Sequence, residues 1–419
     1  MSDYPFRRAA RALLTASALL TVHAQALTLE EAQQLAETAQ PLLESKRAAI
    51  DAAREASVAA RQLPDPQLRL GVLNLPVEGP DAYTLGQDFM TMRMVGVMQE
   101  FPRRAKRELR GEMLDLEARR AAQELAFSRL QVRRDAALAW LDAWSATRAL
   151  ALVQAQQTEA AAQVDTLLIA LRNNRASAAD VSAARVELEL LKDKERMLRG
   201  EERAARAMLS RWIGARAEEA LPEELPELPM PPSADVLVTH LETHPHLAAF
   251  DMQARIAAAD AQLANLSRRP DWNIEVSYAR RGSAFSDMVS LQVGIDLPIL
   301  QSKRQNRSIA AKFAQAQSAR DMREDNLREM RADALRLHAA WEVAVQRTES
   351  YRARILPEAR RRLDGALAAY RGGKGSLFEV LAARRMLLDL ELEHVMRRAE
   401  SARAAIALAY LTHASGGQR

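Results

Sequence analysis

The chain has 419 residues, 27% of them charged, a formal charge of +4 and no cysteine. Arg and Glu interleave along it instead of gathering into a basic block, which excludes the electrostatic footprint that nucleic acid requires. Without cysteine there are no disulfides, thiolate metal sites, cysteine nucleophiles or lipid-modified N-terminal Cys.

Arg7, Arg8 and Arg11 precede an apolar run, Ala12 to Val22, that is too short to span a bilayer as a helix. Ala24-Gln25-Ala26 supplies small residues at −3 and −1, so residues 1–26 read as a secretory leader cut after Ala26. Its removal, with three Arg and Asp3, takes the formal charge from +4 to about +2. No later segment is apolar for long enough to form a transmembrane helix.

Thr28 is an N-cap, with Glu30 and Glu31 complementing the dipole of a helix predicted to run to about Gln62. Leu63-Pro64-Asp65-Pro66 ends it. Two extended stretches follow, 67–75 and 90–101, joined by a loop with Pro76, Gly79 and Pro80. Leu68, Leu70 and Val72 alternate with polar or small residues, as do Met90, Met92, Met94 and Met98. After Phe101-Pro102 a long helix runs to Asn173-Asn174, and Ser177 caps a return helix that stops near Gly214. The acidic, Pro-rich stretch 215–233 reads as a stiff linker.

The second half repeats the first. Gln40-Pro41 corresponds to His244-Pro245, Pro64-Asp65 to Pro270-Asp271, Phe101-Pro102 to Leu297-Pro298, and Asp180-Val181 to Glu379-Val380. The offsets of about 196 to 206 residues drift only where loops differ, as in an internal duplication. Residues 27–214 form the first repeat, with its hairpin at 67–101. Residues 234–414 form the second, with its hairpin at 271–298, and 415–419 are a tail. In the second hairpin Trp272, Ile274, Val276 and Tyr278 alternate with Asn273, Glu275 and Ser277, and Val289, Leu291, Val293 and Ile295 alternate with Ser290, Gln292 and Gly294.

Each long helix, of about 69 residues, reaches roughly 100 Å. Each pair of shorter helices, stacked end to end, matches one long helix, which sets the linker near the middle of the rod. The predicted fold is therefore mainly α with a small β part. Each strand is about 9–11 residues, the length that crosses a bilayer when tilted. Four such strands cannot close a barrel, and an open edge in lipid leaves backbone groups unsatisfied. Several copies must combine, and three would supply twelve strands to a conduit continued by the rods.

On these residues the chain resembles the TolC-type outer-membrane channels of tripartite efflux pumps. The likeness rests on Leu27-Thr28-Leu29-Glu30-Glu31-Ala32, Gln99-Glu100-Phe101-Pro102, Asp296-Leu297-Pro298 and both helix-tip motifs, and it spans essentially the whole mature sequence. It implies a homotrimer, a 12-stranded barrel in outer-membrane lipid and a helical tunnel in the periplasm. It also implies a periplasmic membrane-fusion adaptor and an inner-membrane RND transporter as partners. Asn74-Leu75-Pro76, Gly96 to Pro102 and Lys106-Arg107 look similar to the heavy-metal-cation branch, the CzcC-like proteins; a drug or organic-solute channel is the alternative cargo reading.

The resemblance puts a gate at the helix tips, with Asp180, Arg185, Tyr370, Lys374 and Glu379 as its candidate residues and Tyr370–Asp180 as a latch. The family's second ring carboxylate is replaced in Glu379-Val380-Leu381-Ala382, and Asp180 and Glu379 equally suit helix N-termini after Ser177 and Ser376.

Other signals are weaker. Gly372 to Ser376 lacks the spacing and the preceding strand of a phosphate loop, so a tight tip turn is expected. His240, His244 and His246 lack a completing carboxylate or Cys for zinc. The Met90–Met98 series is either a soft-metal path or else lipid-facing or packed. Trp140, Trp144 and Trp341 read as packing anchors. No nucleophile–base arrangement stands out, so neither an enzyme nor a cofactor is expected. The rival to a membrane duct is a soluble periplasmic scaffold whose hairpins pack on helices.

Overall fold

A computed structural model describes residues 26–412. Apart from Ala26, the expected leader and the tail 415–419 lie outside the described residues. In chain order the elements are α1 (Leu29–Ala39), α2 (Pro41–Arg61), β1 (Gln67–Leu73), β2 (Met92–Phe101), α3 (Arg104–Arg172) and α4 (Ala178–Ile213). The second half supplies α5 (Ala234–His240), α6 (Pro245–Asn265), β3 (Trp272–Arg280), β4 (Met288–Ile295), α7 (Gln305–Ser350), α8 (Leu356–Arg371) and α9 (Leu377–Thr412). The duplication is visible in detail: Pro41 and Pro245 each open a helix of 21 residues.

Two predicted helices are interrupted. Thr28 and Glu31 form a reciprocal capping box, but the helix predicted to reach Gln62 breaks at Gln40. Gln40 is extended because the ring of Pro41 disfavours helical backbone in the residue before it. Its side chain donates to the Arg211 and Trp212 carbonyls at 3.2 and 3.3 Å, so the break sits where the end of α4 meets α1. The second long rod contains Pro357, which cannot donate to the preceding turn and whose ring would strike its carbonyl. A widened π-helical turn, Tyr351–Ile355, absorbs the misfit, and α7 passes into α8.

The helices pack as two quasi-equivalent sets. Against α3 lie α2 and α4; against α7 lie α6 and α9, and α3 also meets α6 and α9. The main core is at mid-rod. Trp140 and Trp144, near the centre of the 69-residue α3, are fully buried. Trp140 Nε1 donates to the Leu27 carbonyl at 2.9 Å and Trp144 Nε1 to the Pro222 carbonyl at 3.1 Å, while Leu27 N donates to Ala220 O at 2.8 Å. The two rings thus tie the start of the chain and the linker to the waist of the rod, and satisfy polar atoms that burial would otherwise penalise.

The strands form one antiparallel sheet in the order β1-β2-β3-β4. Its two central strands, β2 and β3, come from different repeats, and the outer edges of β1 and β4 have no strand partner among the described residues.

Candidate functional site

The strand register sorts the sheet into two unlike faces. Leu68 pairs with Val97, Val97 with Val276 and Val276 with Leu291; Leu70 pairs with Val95, Val95 with Tyr278 and Tyr278 with Val289. Residues opposite each other share a face. Leu68, Leu70, Val72, Val95, Val97, Phe101, Trp272, Ile274, Val276, Tyr278, Val289, Leu291, Val293 and Ile295 therefore make one apolar surface across all four strands. It is open: Leu70 is 71% exposed, Leu291 69% and Val289 74%. A water-soluble sheet would cover this face with helices, as the scaffold reading required. Phe101 and Trp272 stack with ring centroids 4.5 Å apart at the helix end of the strands, and Tyr278 stands near the other end. An apolar band between aromatic ends is the pattern of a strand surface in lipid. At ~3.3 Å per residue and a tilt of 35–45°, ten residues give a band roughly 25 Å tall.

The opposite face carries Arg69, Gly71, Met92, Met94, Gly96, Met98, Asn273, Glu275, Ser277, Ser290, Gln292 and Gly294. On the central strands it is shielded where the first is not, with Met98 5% and Glu275 8% exposed, while Arg69 and Gly71 of β1 and Ser290 and Gln292 of β4 are exposed. Arg69 of β1 reaches across β2 to Glu275 of β3 at 2.6 Å. Gly96 lies beneath: a Cβ there would meet Ser277 Cβ at 2.9 Å. The register decides between the expected placements of the methionines, away from the apolar face and with Met98 packed. Met90 precedes β2, and Met92, Met94 and Met98 share the polar face, because pairing with β1 and β3 puts Val95 and Val97 on the apolar one.

Below the sheet, β2 turns into α3 through a polar junction. Lys106, 8% exposed, donates to the Arg269 carbonyl at 2.9 Å and to Asp271 Oδ2 at 2.8 Å. The backbone N of Arg103 donates to Asp271 Oδ1 at 2.9 Å. Burial raises the Asp271 carboxyl, but the bonds from Lys106 and Arg103 outweigh it and the net shift is downward. Sequence reading identified the Pro-Asp repeat but not this pairing.

At the far end, α3–α4 and α8–α9 turn back in two tips. Asn174 and Gly373 take left-handed backbone there, at φ 55° and 69°. Val164, Leu167, Val181, Ala184, Leu377 and Leu381 bury a common cluster, and half-buried Tyr370 packs on it. Asp180 accepts from Ser177 N at 2.9 Å and Ser177 Oγ at 2.7 Å, which hold its carboxyl below the usual range. Glu379 accepts from Ser376 N at 3.2 Å in the matching cap. The two tips thus come together, but Asp180 serves its own helix and makes no hydrogen bond to Tyr370 within the chain. Arg185, Lys374 and Glu379 are exposed. The polar ties between the repeats near the tip lie above it: Arg385 of α9 pairs with Glu187 of α4 and Lys194 with Asp389 at 2.8 Å, and Arg384 donates a hydrogen bond to Gln163 Oε1 at 2.6 Å. Arg–carboxylate pairs occur along most of the helices, so spacing alone could not single these out.

Two of the three histidines, His244 and His246, join an aromatic cluster with Phe127, Tyr410 and Phe250. His240 closes α5 rather than opening a helix and bonds the Val236 carbonyl at 2.8 Å. His244 is fully buried, caps α6 by accepting from His246 N at 3.2 Å, and meets Phe127 and Tyr410 edge-on. Burial pulls its pKa down to about 4. Among the described residues no group of three or more His, Asp or Glu is placed to hold a metal ion.

Residues 236–413 match the family model of the outer membrane efflux protein. A sequence search among curated proteins finds no match. Solved structures match nearly the whole chain. A membrane protein from Pseudomonas aeruginosa superposes with a TM-score of 0.77 at 16% identity, covering 92% of each chain. VceC, an outer membrane protein from Vibrio cholerae, gives 0.71 at 19% identity over 93% of this chain and 96% of its own. The MtrE outer membrane channel of Neisseria gonorrhoeae, in its open state, gives 0.73 at 16% identity over 93% and 90%. At these identities the likeness establishes the fold alone, and it extends over the first repeat, the linker and the second repeat.

Proposed function

We propose that this protein is one subunit of a passive exit duct in the outer membrane, the terminal part of a tripartite efflux system. The observation that carries the reading is the four-stranded sheet, apolar on one open face, polar on the other and unpaired at both edges. Lipid suits the first face, water the second, and only further copies of the chain can satisfy the edges. Three copies would close twelve strands around the Arg69–Glu275 face and join their helices into a periplasmic tunnel. A membrane-fusion adaptor and an inner-membrane RND transporter then supply cargo and energy. The tip, with Asp180, Arg185, Tyr370, Lys374 and Glu379, is its gate, and the Glu187–Arg385 and Lys194–Asp389 pairs add to its closed state.

For cargo we favour heavy-metal cations, on the similarity of the first hairpin and strand exit to the CzcC-like branch. Deleting the gene and measuring growth against cobalt, zinc, cadmium, copper and silver beside a panel of drugs tests this. Raised sensitivity to metals is expected; raised sensitivity to drugs alone would reassign the cargo while leaving the duct intact.

A further inference from the structure

One row of the sheet sets two like charges side by side. The ladder between the central strands places Arg93 of β2 directly opposite Arg280 of β3. Arg93 alternates in step with Val95 and Val97, and Arg280 with Tyr278 and Val276, so both side chains leave the sheet on the open apolar face. Directly opposed Cα atoms in an antiparallel pair lie ~4.5–5.5 Å apart, and like charges so placed destabilise it. Both residues are exposed, and neither guanidinium forms an ion pair among the described residues.

Their neighbours do not relieve them. Val72 flanks Arg93 on β1. Asp287, opposite Arg280 if the β3–β4 register is continued by one step, accepts a hydrogen bond from the Tyr278 hydroxyl instead. β1 and β4 stand between the pair and either edge of the sheet, which keeps the carboxylates of a further copy at a distance.

Height decides what meets the pair. Phe101 and Trp272 mark the helix end of the apolar face, and Arg93 and Arg280 lie beyond Tyr278 at its other end. From Phe101 to Arg93 is roughly 26 Å along the strand at ~3.3 Å per residue, or about 20 Å along the membrane normal at the usual tilt. An apolar band is ~25 Å tall, and snorkelling side chains cover the remaining few ångströms. With the aromatic pair at one interface, the guanidinium groups therefore reach the headgroups of the other. The helical rods are on the periplasmic side, so this is the outer leaflet.

We propose that Arg93 and Arg280 clamp a phosphate group of an outer-leaflet lipid headgroup against the outside of the sheet. This rests on the outer-membrane reading above. A guanidinium presents a planar fork of donors that matches phosphate oxygens, and such charge-assisted bonds are the strong ones. One phosphate between the two arginines turns their repulsion into two attractions. The Asp287 carboxylate stands at the rim of the same site and opposes an anion there.

The test uses the detergent-extracted protein, with bisphosphorylated lipid A as the probe and the same glycolipid stripped of phosphate as control. Native mass spectrometry counts the copies retained after washing. The parent should keep the phosphorylated form and lose the stripped one. Arg93→Gln and Arg280→Gln should each weaken retention about tenfold. Asp287→Asn should strengthen it, and Arg104→Gln, at the exposed start of α3, should leave it unchanged. Melting temperature adds a sign that a merely structural role would not give. In neutral detergent Arg93→Gln should melt above the parent, because repulsion is relieved; with lipid A present it should melt below it. Equal retention of the two glycolipids, or undiminished binding by the doubly substituted protein, overturns the clamp. Displacement by micromolar inorganic phosphate would reassign the site to a free anion and overturn the lipid. Recovery of the protein from the soluble periplasmic fraction overturns the outer-membrane reading itself, whereas a detergent-requiring protein that binds no lipid A overturns the clamp alone.

Discussion

Leu291 and Gln292 are neighbours in β4 that the register sends to opposite sides of the sheet, one to the proposed lipid surface and one to the proposed lumen. Arg at either position is the same change in charge and nearly the same change in size. Leu291 is at mid-strand and 69% exposed on the apolar face, where a guanidinium near the bilayer midplane costs about 2–4 kcal/mol. That is roughly a 30- to 900-fold loss in the insertion equilibrium per copy, and in a ring of three the cost would rise to about 6–12 kcal/mol. Gln292 stands opposite Glu275, so Arg there gains a cross-strand carboxylate and is expected to change stability by less than about 1 kcal/mol. The assay is the yield of detergent-resistant assembly after refolding into lipid vesicles across a urea series. Leu291→Arg should fold poorly, and Gln292→Arg should match the parent. Equal yields, or a larger loss at Gln292, would mean that the apolar face does not meet lipid.

Lys106→Met keeps the apolar stem and removes the ammonium, leaving the Arg269 carbonyl and one Asp271 oxygen unpaired. Because the Asp271 side chain is 29% exposed, the loss is expected at about 1–3 kcal/mol, below that for a fully buried pair. A double-mutant cycle with Asp271→Asn by thermal unfolding in detergent should be strongly non-additive. His244 has a folded pKa of about 4 against an unfolded 6.5, so its contribution is unaffected above pH 6.5 and stability falls as pH drops from there toward 4. The loss is roughly 2 kcal/mol by pH 5; His244→Gln should flatten that part of the melting-temperature profile, and an unchanged slope would contradict the burial argument. At the tip, Tyr370→Phe with Asp180→Ala should raise single-channel conductance in a planar bilayer, as should Glu187→Gln with Arg385→Gln. No change in the first pair would remove Tyr370 and Asp180 from the gate, and no change in the second would make the α4–α9 ties purely structural.

Much of the architecture was legible because prolines and alternation act locally. Phe101-Pro102 and Leu297-Pro298 mark strand exits whatever the rest of the chain does, and the repeated Pro-Asp dipeptides located the duplication. The linker's place at the waist followed from helix lengths, and the tryptophan bonds to Leu27 and Pro222 meet it there. Pairing was not legible in that way. Alternation in β2 gives two faces, Met and Val, but only the ladders to β1 and β3 decide that Val95 and Val97 join the apolar side. The break at Gln40-Pro41 and the π-helical turn before Pro357 were written in the sequence, yet long helical composition around them masked a one-residue effect. The tip ties of Glu187, Arg385, Lys194 and Asp389 depend on how α9 lies against α4, which no local pattern encodes.

The number of copies in the extracted particle tests the account most directly. Native mass spectrometry of detergent-extracted protein should give a particle of three identical chains, the number that leaves no strand edge facing lipid. A stable single chain that stays folded on removal of detergent would contradict it, because the open apolar face of the sheet would then have to tolerate water.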